Sequence, residues 1–202
     1  MAIKESSDEL NPTVATSGAV APVSRPARTI KDYLALALAT CGVGYLPLAP
    51  GTWGSLLGVG VYLAIQWFAW QHVERSGLSI FELLPLILAV ELVMIGAIVI
   101  GGIWAASRTE GLTGRKDPGK IVIDEVAGQM IALLPIIPGR NLNWISIFIA
   151  FVLFRLFDIV KPYPARHLER LKAGLGVMGD DVVAGAYAAI GTAVLIAALF
   201  TP

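Results

Sequence analysis

Leu83-Leu84-Pro85-Leu86-Ile87-Leu88-Ala89-Val90-Glu91-Leu92-Val93-Met94-Ile95-Gly96-Ala97-Ile98-Val99-Ile100-Gly101-Gly102-Ile103-Trp104-Ala105-Ala106 is broken by one charge, Glu91. The run exceeds the roughly 20 residues that a helix needs to cross a bilayer. Its surroundings are of the same kind. Residues 56–70, 121–138 (apart from Asp124 and Glu125), 144–154 and 182–200 are apolar, and a further apolar segment covers 33–46. Only 15% of the chain is charged and 56% is hydrophobic, whereas a soluble domain carries about a quarter charged residues. Mean hydropathy is +0.73. We therefore expect an all-α, compact multi-helix membrane bundle with about four to five apolar segments. Residues 1–30, rich in Ser, Thr, Ala and Pro without periodicity, are expected to be a disordered N-terminal tail, and 31–202 a single domain.

Composition also excludes partners. The formal net charge is zero and the basic residues form no stripe, so nothing points to nucleic acid. The single cysteine, Cys41, excludes an internal disulfide. The start, Met1 to Glu9, is polar and acidic, which is not the pattern of a signal peptide. No feature marks a protein partner.

Basic residues choose a topology. Arg25, Arg28 and Lys31, the 107–120 loop and the 155–176 stretch are Lys/Arg-rich, whereas 71–82, 139–143 and the C-terminal end are nearly bare. Positive-inside logic places the first group in the cytoplasm. Five spans satisfy this, with the N-terminus in and the C-terminus out. Four polar features then fall at cytoplasmic helix ends: the turn Pro50-Gly51-Thr52-Trp53-Gly54-Ser55, the pair Asp124-Glu125, the series Arg155, Asp158 and Lys161, and the pair Asp180-Asp181. Four unrelated caps have no reason to share one side. One active site does.

Each feature has a structural and a chemical reading. Arg155, Asp158 and Lys161 stand three residues apart, so in a helix they share a face with the acid between two bases. Pro162 disfavours helical geometry at Lys161, which places the amine at a helix C-terminus. Structurally this is an ion pair with a lysine on the helix dipole. Chemically, a planar guanidinium and a point charge are what a phosphate needs. Asp180 after Gly179 reads as an N-cap or as a ligand. Asp124 and Glu125 lie inside apolar sequence, and carboxylates gathered without matching bases need a cation, for which hard oxygens select Mg²⁺ or Mn²⁺. The turn bearing Thr52, Gly54 and Ser55 offers N–H groups and hydroxyls for an anion at a helix N-terminus, without the lysine of a P-loop. His72 and His167 read as surface residues. Acids, a divalent cation and Arg/Lys at a membrane face suggest phosphoryl transfer on a lipid phosphate, and other phosphatase patterns are missing: Cys41 has no arginine six residues on, no D-x-D occurs, and neither histidine follows glycine. The D-G-x-x-A-R signature of CDP-alcohol phosphotransferases is missing too.

Four blocks together resemble the phosphatidylglycerophosphatase A family. They are Ala49-Pro50-Gly51-Thr52-Trp53-Gly54-Ser55; Asp117-Pro118-Gly119-Lys120-Ile121-Val122-Ile123-Asp124-Glu125-Val126-Ala127-Gly128; Phe154-Arg155-Leu156-Phe157-Asp158-Ile159-Val160-Lys161-Pro162-Tyr163-Pro164; and Gly176-Val177-Met178-Gly179-Asp180-Asp181-Val182-Val183-Ala184-Gly185. The resemblance implies a bacterial inner-membrane enzyme, its site facing the cytoplasm, that uses Mg²⁺ to remove the terminal phosphate of phosphatidylglycerol phosphate. On that expectation Asp124, Glu125, Asp180 and Asp181 hold metal. Arg155 and Lys161 grip the phospholipid's phosphate together with Thr52, Gly54 and Ser55, and Asp158 orients the bases or handles protons. Two rivals are a small transporter or channel with charges near the midplane, and a soluble helical phosphatase acting on another monoester.

Overall fold

The computed structural model describes residues 28–114 and 118–200. Most of the expected tail, together with Arg115, Lys116 and Asp117, lies outside them. Among the described residues every regular element is helical. The helices are α1 (Ile30–Thr40), α2 (Pro50–Ser76), α3 (Ile80–Thr113), α4 (Ile123–Leu133), α5 (Trp144–Val160), α6 (Ala165–Leu168) and α7 (Gly174–Phe200), with a 3-10 turn at Val43–Tyr45.

Local chemistry sets most ends. Ser79 and Glu82 form a capping box at α3: the Ser79 N–H donates to Glu82 Oε2 (2.7 Å) and the Glu82 N–H to Ser79 Oγ (3.3 Å). Asn143 caps α5 by accepting from the Ser146 N–H at 3.0 Å. Before Pro162, as expected, α5 stops: Lys161 closes it in the left-handed region, φ 48°. Pro50 opens α2 at a position where a missing N–H costs nothing.

The short helix α4 is the hub. It packs against α2, α3, α5 and α7, with α1 touching its start. Such crowding needs small residues at the crossings. Gly128 of α4 meets Gly185 of α7, where an added Cβ would stand 3.0 Å from the Gly128 Cα. Gly185→Ala is therefore expected to cost about 1–3 kcal/mol by overpacking, read as a lower unfolding temperature in detergent; an unchanged midpoint would mean the crossing relaxes freely.

Beside an apolar core the helices bury several polar side chains, and they expose many large apolar ones. Ser55, Gln129, Ser146 and Thr192 are fully buried, and Glu91 is buried with Gln66 Nε2 donating to it at 2.6 Å. Trp67, Phe68, Val93, Ile100, Phe148 and Ile159 face outward. That surface suits lipid rather than water.

The expected number of spans needs correction. Among the described residues two helices, α3 and α7, are long and apolar enough to cross a membrane, fewer than four to five. The 121–138 segment fails on length: α4 ends at Leu133, just before Pro135, and its 11 residues reach about 16 Å. With 17 residues α5 reaches about 26 Å. The 27 residues of α2 are long enough, but Gln66, Gln71, His72, Glu74 and Arg75 occupy its second half.

Candidate active site

Four helix ends converge: the starts of α2, α4 and α7 and the end of α5. The convergence juxtaposes Asp124, Glu125 and Asp181, which each offer a carboxylate oxygen within 4.8 Å of the others. They line a cavity of about 410 Å³ whose wall also includes Asp158, Lys161, Glu169 and Asp180. Six carboxylates and one amine thus face a single space. Asp124, Asp180 and Asp181 are buried.

Neighbouring elements explain each placement. Glu125 lies against the N-terminus of α2, where a Cβ on Gly51 would collide with Glu125 Oε1 and come 3.1 Å from Arg155 Nη1. The helix N-terminus favours that negative charge. Even so, burial pushes the Glu125 carboxyl well above the usual carboxylate range, with the charges of Asp124, Asp181 and Asp158 adding to it. Asp181 comes within hydrogen-bond reach of Asp158. Asp158 also pairs with Arg155 at 2.7 Å, one helical turn back, as the three-residue spacing predicts.

Lys161 departs from the expected row. Its ammonium turns to α7, 2.6 Å from Asp180 Oδ2 and 3.4 Å from Glu169. Burial alone would lower the Lys161 pKa, but the Asp180 hydrogen bond and charge, with Glu169, hold it above its ordinary value. Nor is Asp180 an N-cap: α7 begins at Gly174, so both aspartates lie in its second turn. Asp180 stands outside the close carboxylate triad. The Thr52–Ser55 segment lies in the first two turns of α2 rather than in a separate loop. Ser55 Oγ donates to the Gly51 carbonyl at 3.0 Å, and Gly54 rests on the Val122 carbonyl; Thr52 is half-buried.

Sequence reasoning missed Glu169 and Gly51 as parts of this neighbourhood. Glu169 follows α6 in a stretch with no helical periodicity, so only the corner between α5 and α7 brings it back. Gly51 was visible within its block, but its contact with Glu125 requires two helices to meet. His72 and His167 are exposed, as expected. Burial pushes the Cys41 thiol up to about 11, with Asp124 adding to it, which makes it a poor nucleophile.

The site suits a hard divalent cation. Its donors are oxygens, and Glu125 Oε2 and Asp181 Oδ2 are buried without a hydrogen-bond partner, a state that costs several kcal/mol unless a cation or proton compensates. Such a site beside an arginine can handle phosphate.

Comparison with known proteins points the same way. The family model described as phosphatidylglycerophosphatase A matches residues 36–196. A Bacteroides thetaiotaomicron protein, named as a candidate phosphatidylinositol-3-phosphatase, is 39% identical over 151 residues, covering 74% of this chain and 84% of its own. The Haemophilus influenzae phosphatidylglycerophosphatase A is 38% identical over 152 residues (74% and 80%). Its Escherichia coli namesake is 32% identical over 149 residues (73% and 74%). No solved structure matches. The matched region contains the carboxylate triad, its arginine and the helices that bring them together, and on that match the chain belongs to the phosphatidylglycerophosphatase A family and is a phosphatase.

Proposed function

We propose that the protein is a Mg²⁺-dependent lipid phosphatase that hydrolyses the terminal phosphate monoester of phosphatidylglycerol phosphate, giving phosphatidylglycerol and phosphate. The observation that carries this is the juxtaposition of Asp124, Glu125 and Asp181 with the Arg155–Asp158 pair at one end of the bundle. The names of the Haemophilus and Escherichia relatives support the substrate. The loops and helix ends on that side are also the basic ones, with Lys120, Arg166, Arg170 and Lys172, whereas the opposite helix ends carry Arg75, in the last turn of α2, and Arg140, after α4. Positive-inside logic then puts the site on the cytoplasmic face of a bacterial inner membrane, with α3 and α7 crossing.

Asp124, Glu125 and Asp181 would hold Mg²⁺, which, when bound, neutralises phosphate charge and polarises its oxygens. The remaining work belongs to side chains. Arg155 grips non-bridging phosphate oxygens with its planar fork; Asp158 fixes the guanidinium and takes a proton from the water whose oxygen bonds to phosphorus, passing it to the leaving glycerol oxygen as the P–O ester bond breaks. Lys161, tethered by Asp180 and Glu169, adds positive potential at the cavity wall, with Thr52 a further phosphate contact. With Ser55 Oγ already donating within α2 and Gly54 against α4, those two act by letting α2 approach Glu125. In a loose phosphoryl-transfer transition state, such positioning and charge neutralisation carry most of the rate.

The test is phosphate release from vesicles containing phosphatidylglycerol phosphate, phosphatidic acid or phosphatidylinositol 3-phosphate. Release should be fastest from the first, stop in EDTA and return with Mg²⁺. Full turnover in chelator removes metal from the mechanism. Preference for the inositol lipid, as the Bacteroides relative's name suggests for that protein, would reassign the headgroup but not the chemistry.

A further inference from the structure

The acids of α4 hang on a loop that another part of the chain holds. Residues 118–121 make a tight turn in which the Ile121 N–H donates to the Pro118 carbonyl at 3.0 Å. Gly119 and Ile121 line the carboxylate cavity. The outer side of this turn rests on the 3-10 turn Val43–Tyr45. Lys120 Nζ stands 4.9 Å from the Tyr45 ring centroid, and a Cβ on Gly44 would collide with the Lys120 carbonyl oxygen and lie 3.1 Å from its carbon. One residue before α4, the Val122 N–H donates to the Ala39 carbonyl at 2.9 Å, in the last turn of α1. The far end of α1 is tied down as well, by Asp32 and Arg108 of α3 at 2.6 Å.

These contacts form a strap: α3 anchors α1, α1 leads into the 3-10 turn, and that turn bears on the loop that starts α4. Gly44 is its tightest point. Its φ lies outside the left-handed region, so alanine suits the backbone, and the Lys120 carbonyl is what chiefly forbids it, with Thr40 Cβ at 3.3 Å a lesser contact. We propose that Gly44 is a positioning residue for Asp124 and Glu125, setting where α4 begins and hence the spacing of its acids from Asp181. The inference rests on the reading of that triad as a cation site.

A displaced carboxylate loses cation affinity before it loses the fold, because the support of a ligand governs its aim. The experiment compares full-length parent and Gly44→Ala in detergent. It reads the Mg²⁺ concentration that gives half of the Mg²⁺-induced rise in unfolding temperature, alongside kcat. In Gly44→Ala that concentration should rise about tenfold or more, together with a lower unfolding temperature in EDTA because the new Cβ meets backbone. Gly42→Ala is the control: Gly42 has φ 72° and no atom within 4 Å of an added Cβ, so alanine strains the same turn without pressing on Lys120. It should unfold earlier and titrate Mg²⁺ like the parent. If Gly44→Ala does not fold, Tyr45→Leu decides, since it removes the ring beneath Lys120 and should raise the half-effect concentration about two- to threefold. A parental Mg²⁺ titration in Gly44→Ala, or in Tyr45→Leu where that variant decides, or an equal shift in Gly42→Ala, overturns the positioning role. A parent that Mg²⁺ does not stabilise overturns the cation site itself, and the inference with it.

Discussion

Asp181→Asn should abolish most turnover, by on the order of 10³-fold in kcat, while leaving the protein folded. Asparagine keeps the shape of the side chain and one oxygen but not the charge. Asp181 is buried against Asp124, Glu125 and Asp158, so removing its charge relieves repulsion in the metal-free protein. The unfolding temperature in EDTA should therefore hold or rise, and the stabilisation that Mg²⁺ gives the parent should disappear. The two readouts move in opposite directions for a ligand. A purely structural acid would lower stability and activity together, and near-parental turnover in the mutant would remove Asp181 from the site.

Arg155→Lys carries the second large effect. The Arg155–Asp158 pair is partly shielded, its side chains 21% and 15% exposed, with a separation of 2.7 Å. If the arginine only closes α5, lysine keeps the positive charge and the loss stays near 1 kcal/mol or less. If the guanidinium grips phosphate, lysine cannot reproduce two parallel hydrogen bonds. The expected loss is then about 2–4 kcal/mol in kcat/KM, because the contact tightens as charge develops in the transition state. Thermal stability should change little, since a charge remains beside Asp158. The measurement is kcat/KM and unfolding temperature at saturating Mg²⁺. A variant that unfolds early yet turns over normally would make the pair a structural clasp and leave phosphate binding to Lys161 and the cation.

Some of this site is legible in local spacing and some is not. Three residues separate Arg155 from Asp158, and in any α-helix that spacing makes neighbours, so the pair needed no tertiary knowledge. Pro162 announced the end of α5 for an equally local reason. Lys161 obeyed the same spacing on paper but left the row, because the left-handed residue that ends the helix turns its side chain toward Asp180 of another helix. Hydropathy marked every apolar segment but not its length as a helix: Pro135 cuts α4 to a half-span hub, while α7 extends six residues ahead of its aspartates.

The sequence by itself determined the helical class, the membrane-grade apolar content, the local pair and the gathering of acids at like-oriented helix ends, since all of these follow from composition and from spacings within a turn or two. The tertiary structure decided which acids meet. Adjacent helical residues point about 100° apart, so whether Asp180 or Asp181 joins Asp124 and Glu125 depends on the rotation of α7 against α4. That rotation is set where Gly185 lies on Gly128, a contact between residues 57 positions apart, and no periodicity along the chain encodes it.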